Sequence, residues 1–184
     1  MLIRPGKNIH EFIHNDRNRL VKPMVFVIIC SLLYSVAQQL LNFEDGYVNA
    51  GGLGDSAVAT IYTWIQKNYG YTNILMAVFI AGWIKLLFRK YDYNFFEIII
   101  LLFFVMGIGM LIYTIFGLLD SLIEIKVLQI GGILGFIYVS WAIGQFFDRN
   151  KKINYLKGLL AYVLGTVTFF LIASITGIGI DFVL

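Results

Sequence analysis

The chain has 184 residues, of which 59% are hydrophobic, 16% aromatic and only 14% charged, with a net charge of +3 and a mean hydropathy of +0.81. A soluble domain carries about 25% charged residues, so this composition excludes a water-exposed globule, and two prolines with abundant aromatics exclude a disordered or linker-rich chain. The single cysteine, Cys30, excludes a disulfide framework and a paired-cysteine metal site.

In chain order, residues 1–22 form a basic amphipathic segment. Asn8 stands three residues before Glu11, the spacing of a capping box, which predicts a helix starting near Asn8. Ile9, Phe12 and Ile13 then share one face, while His10, Glu11, His14 and Arg17 face away, as on a helix lying in the membrane interface.

Residues 23–184 form a transmembrane domain with five apolar stretches. They run approximately over Pro23–Leu41, Thr72–Phe88, Phe95–Leu119, Val127–Phe147 and Leu159–Val183, each near the roughly 20 helical residues that cross about 30 Å of hydrocarbon. The second is short, and Lys85 and Arg89 extend it by snorkelling. Ser35-Val36-Ala37 resembles a cleavage site. The 22 residues before the first span carry Glu11 and Asp16, however, which fits a signal peptide poorly, so the segment reads as a retained span. Between the first two spans, the Gly-rich stretch Asn49–Gly54 leads into a second amphipathic helix over Ser56–Lys67. Val58, Ile61, Tyr62 and Ile65 follow helical spacing there, and Trp64 suits the headgroup region.

Charge gives the orientation. Arg4, Lys7, Arg17, Arg19, Lys22, Lys85, Arg89, Lys90, Arg149, Lys151, Lys152 and Lys157 fall on one side if the spans alternate. Lys67 and Lys126 fall on the other, beside Glu44, Asp45, Asp55, Asp120, Glu124 and Asp181. The positive-inside rule puts the N-terminus in the cytoplasm and, with five spans, the C-terminus outside. The fold class expected is an all-α polytopic bundle with an amphipathic interfacial helix on each side.

His10-Glu11-Phe12-Ile13-His14 matches H-E-x-x-H, in which two histidines hold zinc and the glutamate activates its water. The chain has no third histidine, and nothing marks Asp92, Glu97 or Asp148 as a third ligand. The three residues therefore read as the polar face of the first amphipathic helix, with no metal and no catalytic residue expected. Glu97, in the first turn of the third span, reads as a carboxylate placed on the helix macrodipole. The alternative is a functional charge facing the bundle interior.

No span carries an ionisable side chain near its centre. Thr114, Tyr138, Ser140, Thr166, Thr168 and Ser174 stand there instead, all able to bond to the backbone or bridge helices. That argues against a proton-coupled carrier. Small residues recur at helix-contact spacing: Gly131, Gly135, Ser140 and Gly144 in the fourth span, Ala161 with Gly165 and Ala173 with Gly177 in the fifth, and Ala77 with Ala81 in the second. Gly131, Gly135 and Gly144 are expected on one stripe that packs inside the bundle.

Two stretches carry a resemblance. One is Arg4-Pro5-Gly6-Lys7-Asn8-Ile9 followed by Glu11-Phe12-Ile13, with Arg17, Arg19 and Lys22-Pro23 leading into the first span. The other is Phe88-Arg89-Lys90-Tyr91-Asp92-Tyr93-Asn94-Phe95-Phe96-Glu97. They resemble a family of bacterial multi-pass membrane proteins of unknown function whose fuller members begin with a zinc ribbon. That ribbon is absent here, and Ile98 stands where family members often carry His. The resemblance implies the bacterial cytoplasmic membrane and no activity.

The sequence therefore reads as a non-catalytic accessory or scaffold subunit. Its expected partners are the lipid bilayer and other membrane subunits or further copies of itself. No cofactor or nucleic acid is expected. An oligomeric facilitator pore, an immunity-type protein and a zinc hydrolase remain as alternatives.

Overall fold

The computed structural model describes residues 3–14, 21–41, 56–123 and 127–183. They form seven helices and, among the described residues, no strand: α1 (Pro5–His14), α2 (Pro23–Leu41), α3 (Ala57–Lys67), α4 (Tyr69–Leu87), α5 (Phe95–Ile123), α6 (Leu128–Asp148) and α7 (Lys152–Val183). Five of them, α2 and α4 to α7, are long and apolar enough to cross a membrane.

The bundle is built around α5. Of its most apolar stretch, 56% is buried, against 17% for α2 and 22% for α7. α5 touches α2, α4 and α6, while α7 packs on α4 and α6 and carries α3 along one side. Hydrocarbon gives apolar helices no drive to associate, so contact must come from close fit and dispersion. The seam of α4, α5 and α7 shows this: Ala77, Ile80, Ala81 and Ile84 of α4 are fully buried against Leu101, Leu102 and Val105 of α5 and Ala161 of α7. α2 buries only the stripe Val27, Cys30 and Tyr34. On its other side Met24, Val25, Ile28, Ile29, Leu32, Leu33, Val36 and Leu40 are exposed, as on a lipid-facing surface.

Both amphipathic helices are present, and both turn their apolar faces onto protein. Ile9, Phe12 and Ile13 of α1 belong to the same core as the spans, with the Phe12 ring edge-on to Phe104 at 5.4 Å. α1 begins at Pro5, and Asn8 is inside it rather than at its cap. The fixed φ of proline suits a first helical position, where its missing N–H costs nothing, and the Gly6 N–H donates to Gln145 Oε1 of α6 at 3.1 Å. A side chain at Gly6 would meet the Gln145 backbone at 2.7 Å, so helix and bundle approach backbone to backbone. α3 is capped by Ser56, whose Oγ accepts from Ala59 N–H. It is held on α7 by Tyr62 Oη and Ser174 Oγ at 3.0 Å and by Ala57 N–H donating to Asp181 Oδ1 at 2.6 Å. Gly177, expected to serve span packing, instead receives Val58 of α3.

Two spans begin earlier than their apolar stretches. α4 starts at Tyr69, directly after Asn68 closes α3 on the Trp64 carbonyl. α7 starts at Lys152 rather than Leu159, because the mixed segment Lys152–Gly158 is anchored through its polar residues. The amide of Asn154, fully buried, donates to Tyr91 Oη at 2.9 Å and to the Asp148 carbonyl at 3.2 Å. Lys157 donates to the Leu87 carbonyl at 3.0 Å, and Lys85 to that of Tyr93 at 2.6 Å.

The described basic residues gather at the end that holds α1 and the α4–α5 and α6–α7 turns. Arg4, Lys7, Lys22, Lys85, Arg89, Lys90, Arg149, Lys151, Lys152 and Lys157 are there, and Lys67 is at the end that holds α3. Arg17, Arg19, Lys126 and the stretch Asn49–Gly54 lie outside the described residues.

The expectation of a single glycine stripe on α6 is corrected. Gly131 and Gly135 face α5, where a Cβ would run into Phe116 at the first and approach the Gly109 carbonyl at 3.4 Å at the second. Gly144 faces α7, where a Cβ would lie 2.7 Å from Tyr155 Cα. Nine residues at about 100° each make about two and a half revolutions, a net half turn, so Gly144 points away from Gly135. Ser140 and Gly144 form a second seam with Gly158 of α7, whose added Cβ would meet the Ser140 carbonyl at 2.8 Å.

Candidate functional site

The histidine motif does not assemble a metal site among the described residues, where no three of His, Cys, Asp and Glu come together. His10 is exposed, with its ring 6.3 Å from those of Tyr93 and Phe146. Glu11 lies 3.7 Å from Lys7. The side chain of His14 lies outside the described residues. The carboxylates considered as third ligands are partly engaged elsewhere. Asp148 pairs with Lys151 at 2.8 Å and accepts from Asn150 N–H; this carboxylate holds the Lys151 ammonium above its ordinary pKa range.

Glu97 borders a groove of about 500 Å³ between α1, the start of α2 and α5. Its carboxylate, however, accepts from Asn94 N–H at 2.8 Å, while its own N–H donates to Asn94 Oδ1 at 2.9 Å. This is a reciprocal capping box that starts α5. The N-x-x-E spacing was legible in the sequence, so the cap could have been read there in full.

At this end the bundle is closed by aromatic rings. Phe88 stacks on Phe147 with centroids 3.9 Å apart and planes 15° from parallel. Tyr91 and Tyr93 lie against Phe147, and Tyr93 also against Phe146. Burial among these rings pushes the Tyr93 hydroxyl above its ordinary pKa, and the Glu97 carboxylate adds to the shift. The turn Phe88–Glu97 thus works as a hydrophobic closure as well as a link. Beside it, a cleft of about 390 Å³ between α1 and the end of α6 is lined by Arg4, Lys7, His10, Gln145, Phe146 and Arg149.

The other half of the bundle holds a cavity of about 230 Å³ among α4, α5, α6 and α7. Tyr69, Asn73, Tyr113 and Tyr162 line it together with the backbones of Gly109, Gly131, Gly132 and Gly135. Tyr34, Tyr69 and Tyr113 cluster, with Tyr34 4.6 Å from Tyr69 and 6.0 Å from Tyr113. The cavity reaches Met106 and Val139 near the middle of α5 and α6. Beyond them, Ile84, Leu101, Leu102 and Ile143 are fully buried. The glycines were expected only to bring helices together, but Gly135 also leaves room. The sequence signal for this cavity was a set of tyrosines near one level of several spans, diluted among eleven tyrosines in all.

The polar groups of the spans behave mostly as expected. Thr114, Ser140, Thr168 and Ser174 each donate to the carbonyl four residues earlier, at 2.7–2.9 Å, and Thr168 also accepts from Trp83 Nε1. Tyr138 Oη and Thr166 Oγ1 differ: both are buried atoms without a hydrogen-bond partner. Ala161 is fully buried, and Gly165 lets α7 approach α4 so closely that a Cβ would lie 2.5 Å from Ile80 Cα.

Compared with protein-family models, curated proteins and solved structures, the chain matches none.

Proposed function

We propose that the protein is a non-catalytic accessory or scaffold subunit of an assembly in the bacterial cytoplasmic membrane, with the α1 end in the cytoplasm and the C-terminus outside. One observation carries the reading: the cavity ends on a solid core. From Ile84, Leu101, Leu102 and Ile143 to the stacked Phe88 and Phe147, the centre of the α1 half is filled by side chains, and among the described residues no route for a solute continues from the cavity through it. The cavity lining carries hydroxyls, one amide and glycine backbone, and no carboxylate or imidazole to move a proton. The concentration of basic residues at the α1 end supports the orientation through the positive-inside rule. The likeness of Arg4–Ile9 and Phe88–Glu97 to the multi-pass family supports the bacterial cytoplasmic membrane.

Purification in mild detergent tests the reading. A second membrane protein is expected to accompany the chain at fixed stoichiometry. A homo-oligomer that passes solutes in liposomes would instead establish the facilitator pore. Zinc at one per chain, lost on His14→Ala, would overturn the metal-free reading and favour the hydrolase. Reporters fused at Asp92 and Asn150 should read as cytoplasmic, and those within Asn49–Gly54 or after Leu184 as external. A cytoplasmic signal after Leu184 would overturn the orientation.

A further inference from the structure

We propose that the cleft between α1 and the end of α6 binds a phosphate-type oxyanion through Arg4, Lys7 and Arg149. The cleft holds about 390 Å³, many times the roughly 30 Å³ that one water takes up in the liquid, so a phosphate or a lipid headgroup fits. Two guanidinium groups and an ammonium line this one concavity, over a floor that includes Phe146. A guanidinium presents a planar fork of donors that matches a phosphate in two-point contact, and two forks with a point charge form a clamp for a multiply charged oxyanion.

Three of the other basic groups at this end of the bundle are already engaged, and Lys22, Arg89, Lys90 and Lys152 do not line the cleft. Lys85 is bound to the Tyr93 carbonyl, Lys157 to that of Leu87, and Lys151 to the Asp148 carboxylate. Among the described residues, Arg4 and Arg149 meet no carboxylate, and Lys7 has only Glu11 at 3.7 Å, a weak partner that a phosphate can displace. The cleft is also rigidly founded. Gln145 ties α1 to α6 through the Gly6 N–H, and that backbone contact leaves no room for a Cβ. Lys7 is on α1, and Arg4 and Arg149 directly adjoin α1 and α6, whose relative position is held by packing, so the site does not have to be assembled by the ligand. A phospholipid headgroup at the membrane surface and a soluble phosphate share this chemistry, and the test separates them.

The full-length protein, purified in neutral detergent, is titrated with inorganic phosphate by calorimetry. It is also reconstituted in vesicles of phosphatidylcholine with phosphatidylglycerol, re-extracted, and weighed intact for retained lipid. Saturable phosphate binding is expected, with Arg149→Gln and Arg4→Gln each weakening it about tenfold or more, the size of one lost charged hydrogen bond. Arg149→Lys, which keeps the charge and loses the fork, should fall between. Lys152→Gln, exposed outside the cleft, should leave binding unchanged. Retention of one phosphatidylglycerol per chain, lost in the arginine variants and displaced by phosphate, assigns the site to a headgroup. Phosphate binding with no such retention assigns it to a soluble anion. Arg4, Lys7 and Arg149 are all exposed, so the variants should keep wild-type helix content. The proposal is overturned if Lys152→Gln weakens binding as much as the arginine variants, or if the double variant Arg4→Gln/Arg149→Gln binds both probes like wild type.

Discussion

The two halves of the bundle solve the same packing problem differently. In the half nearest α1, large aromatic rings and fully buried aliphatic residues fill the space between helices, and Gly144 and Gly158 bring α6 and α7 together where any added atom would clash. In the half nearest α3, Gly109, Gly132 and Gly135 border a cavity ringed by tyrosines. In that second half Gly131 and Gly177 still close seams, against Phe116 and Val58, while Gly132 and Gly135 leave room. A glycine in a span marks a place where a helix surface recedes, and the neighbouring helix decides whether that recess is filled.

Removing a ring from the closed half should have the largest effect. Phe88 is 1% exposed and stacked on Phe147, so Phe88→Ala should cost about 3–5 kcal/mol, as truncation of buried aromatics does. Thermal unfolding in detergent measures it. A loss under about 1 kcal/mol would mean that the closure is not well packed.

Alanine at two glycines of α6 sharpens the contrast. Gly144→Ala should destabilise by about 1–3 kcal/mol, because the Tyr155 backbone lies 2.7 Å from the new atom and overpacking forces helices apart. Gly135→Ala meets ordinary contact at 3.4 Å from the Gly109 carbonyl. It should be neutral or stabilising by up to about 1 kcal/mol through helix propensity. Equal effects at the two sites would remove the distinction between the halves.

Smaller effects are expected at the helix starts. Asp120 near the end of α5 accepts from Val127 and Leu128 N–H at 2.6 and 3.0 Å, and so caps α6 from a neighbouring helix. At the opposite end, Glu97 caps its own helix. Asp120→Ala and Glu97→Ala should each cost about 1 kcal/mol, as lost caps do. If unfolding is monitored at the two ends separately, the first should loosen the α3 end and the second the α1 end.

The smallest effect concerns the Tyr93 hydroxyl. Its folded pKa lies above the ordinary value near 10, so the neutral form is favoured in the folded protein. The associated stability is full below that ordinary value and is lost as pH rises through the folded one. The difference in tyrosinate absorbance between wild type and Tyr93→Phe should titrate at higher pH than free tyrosine. Glu97→Gln should move it back part of the way.

Much of this architecture is written along the chain. Five apolar stretches, two amphipathic helices and the segregation of basic residues are local or additive properties, because a span needs only length and hydropathy. The Glu97 cap is also local, since its partner is three residues away. The start of α7 was not legible, because Lys152, Asn154 and Lys157 interrupt the apolar run there and Asn154 and Lys157 are anchored by partners 63 and 70 residues distant. Nor was the division of labour among the glycines. Gly131 and Gly135 meet α5, Gly144 meets α7, and Gly177 meets α3, although all look alike as small residues at helical spacing. Hydropathy and charge settle which segments enter a bilayer, since each segment pays its transfer cost alone. Which recess is filled, which stays open as a cavity, and which cations share one cleft depend on the neighbour across the seam, and only the tertiary structure supplies that neighbour.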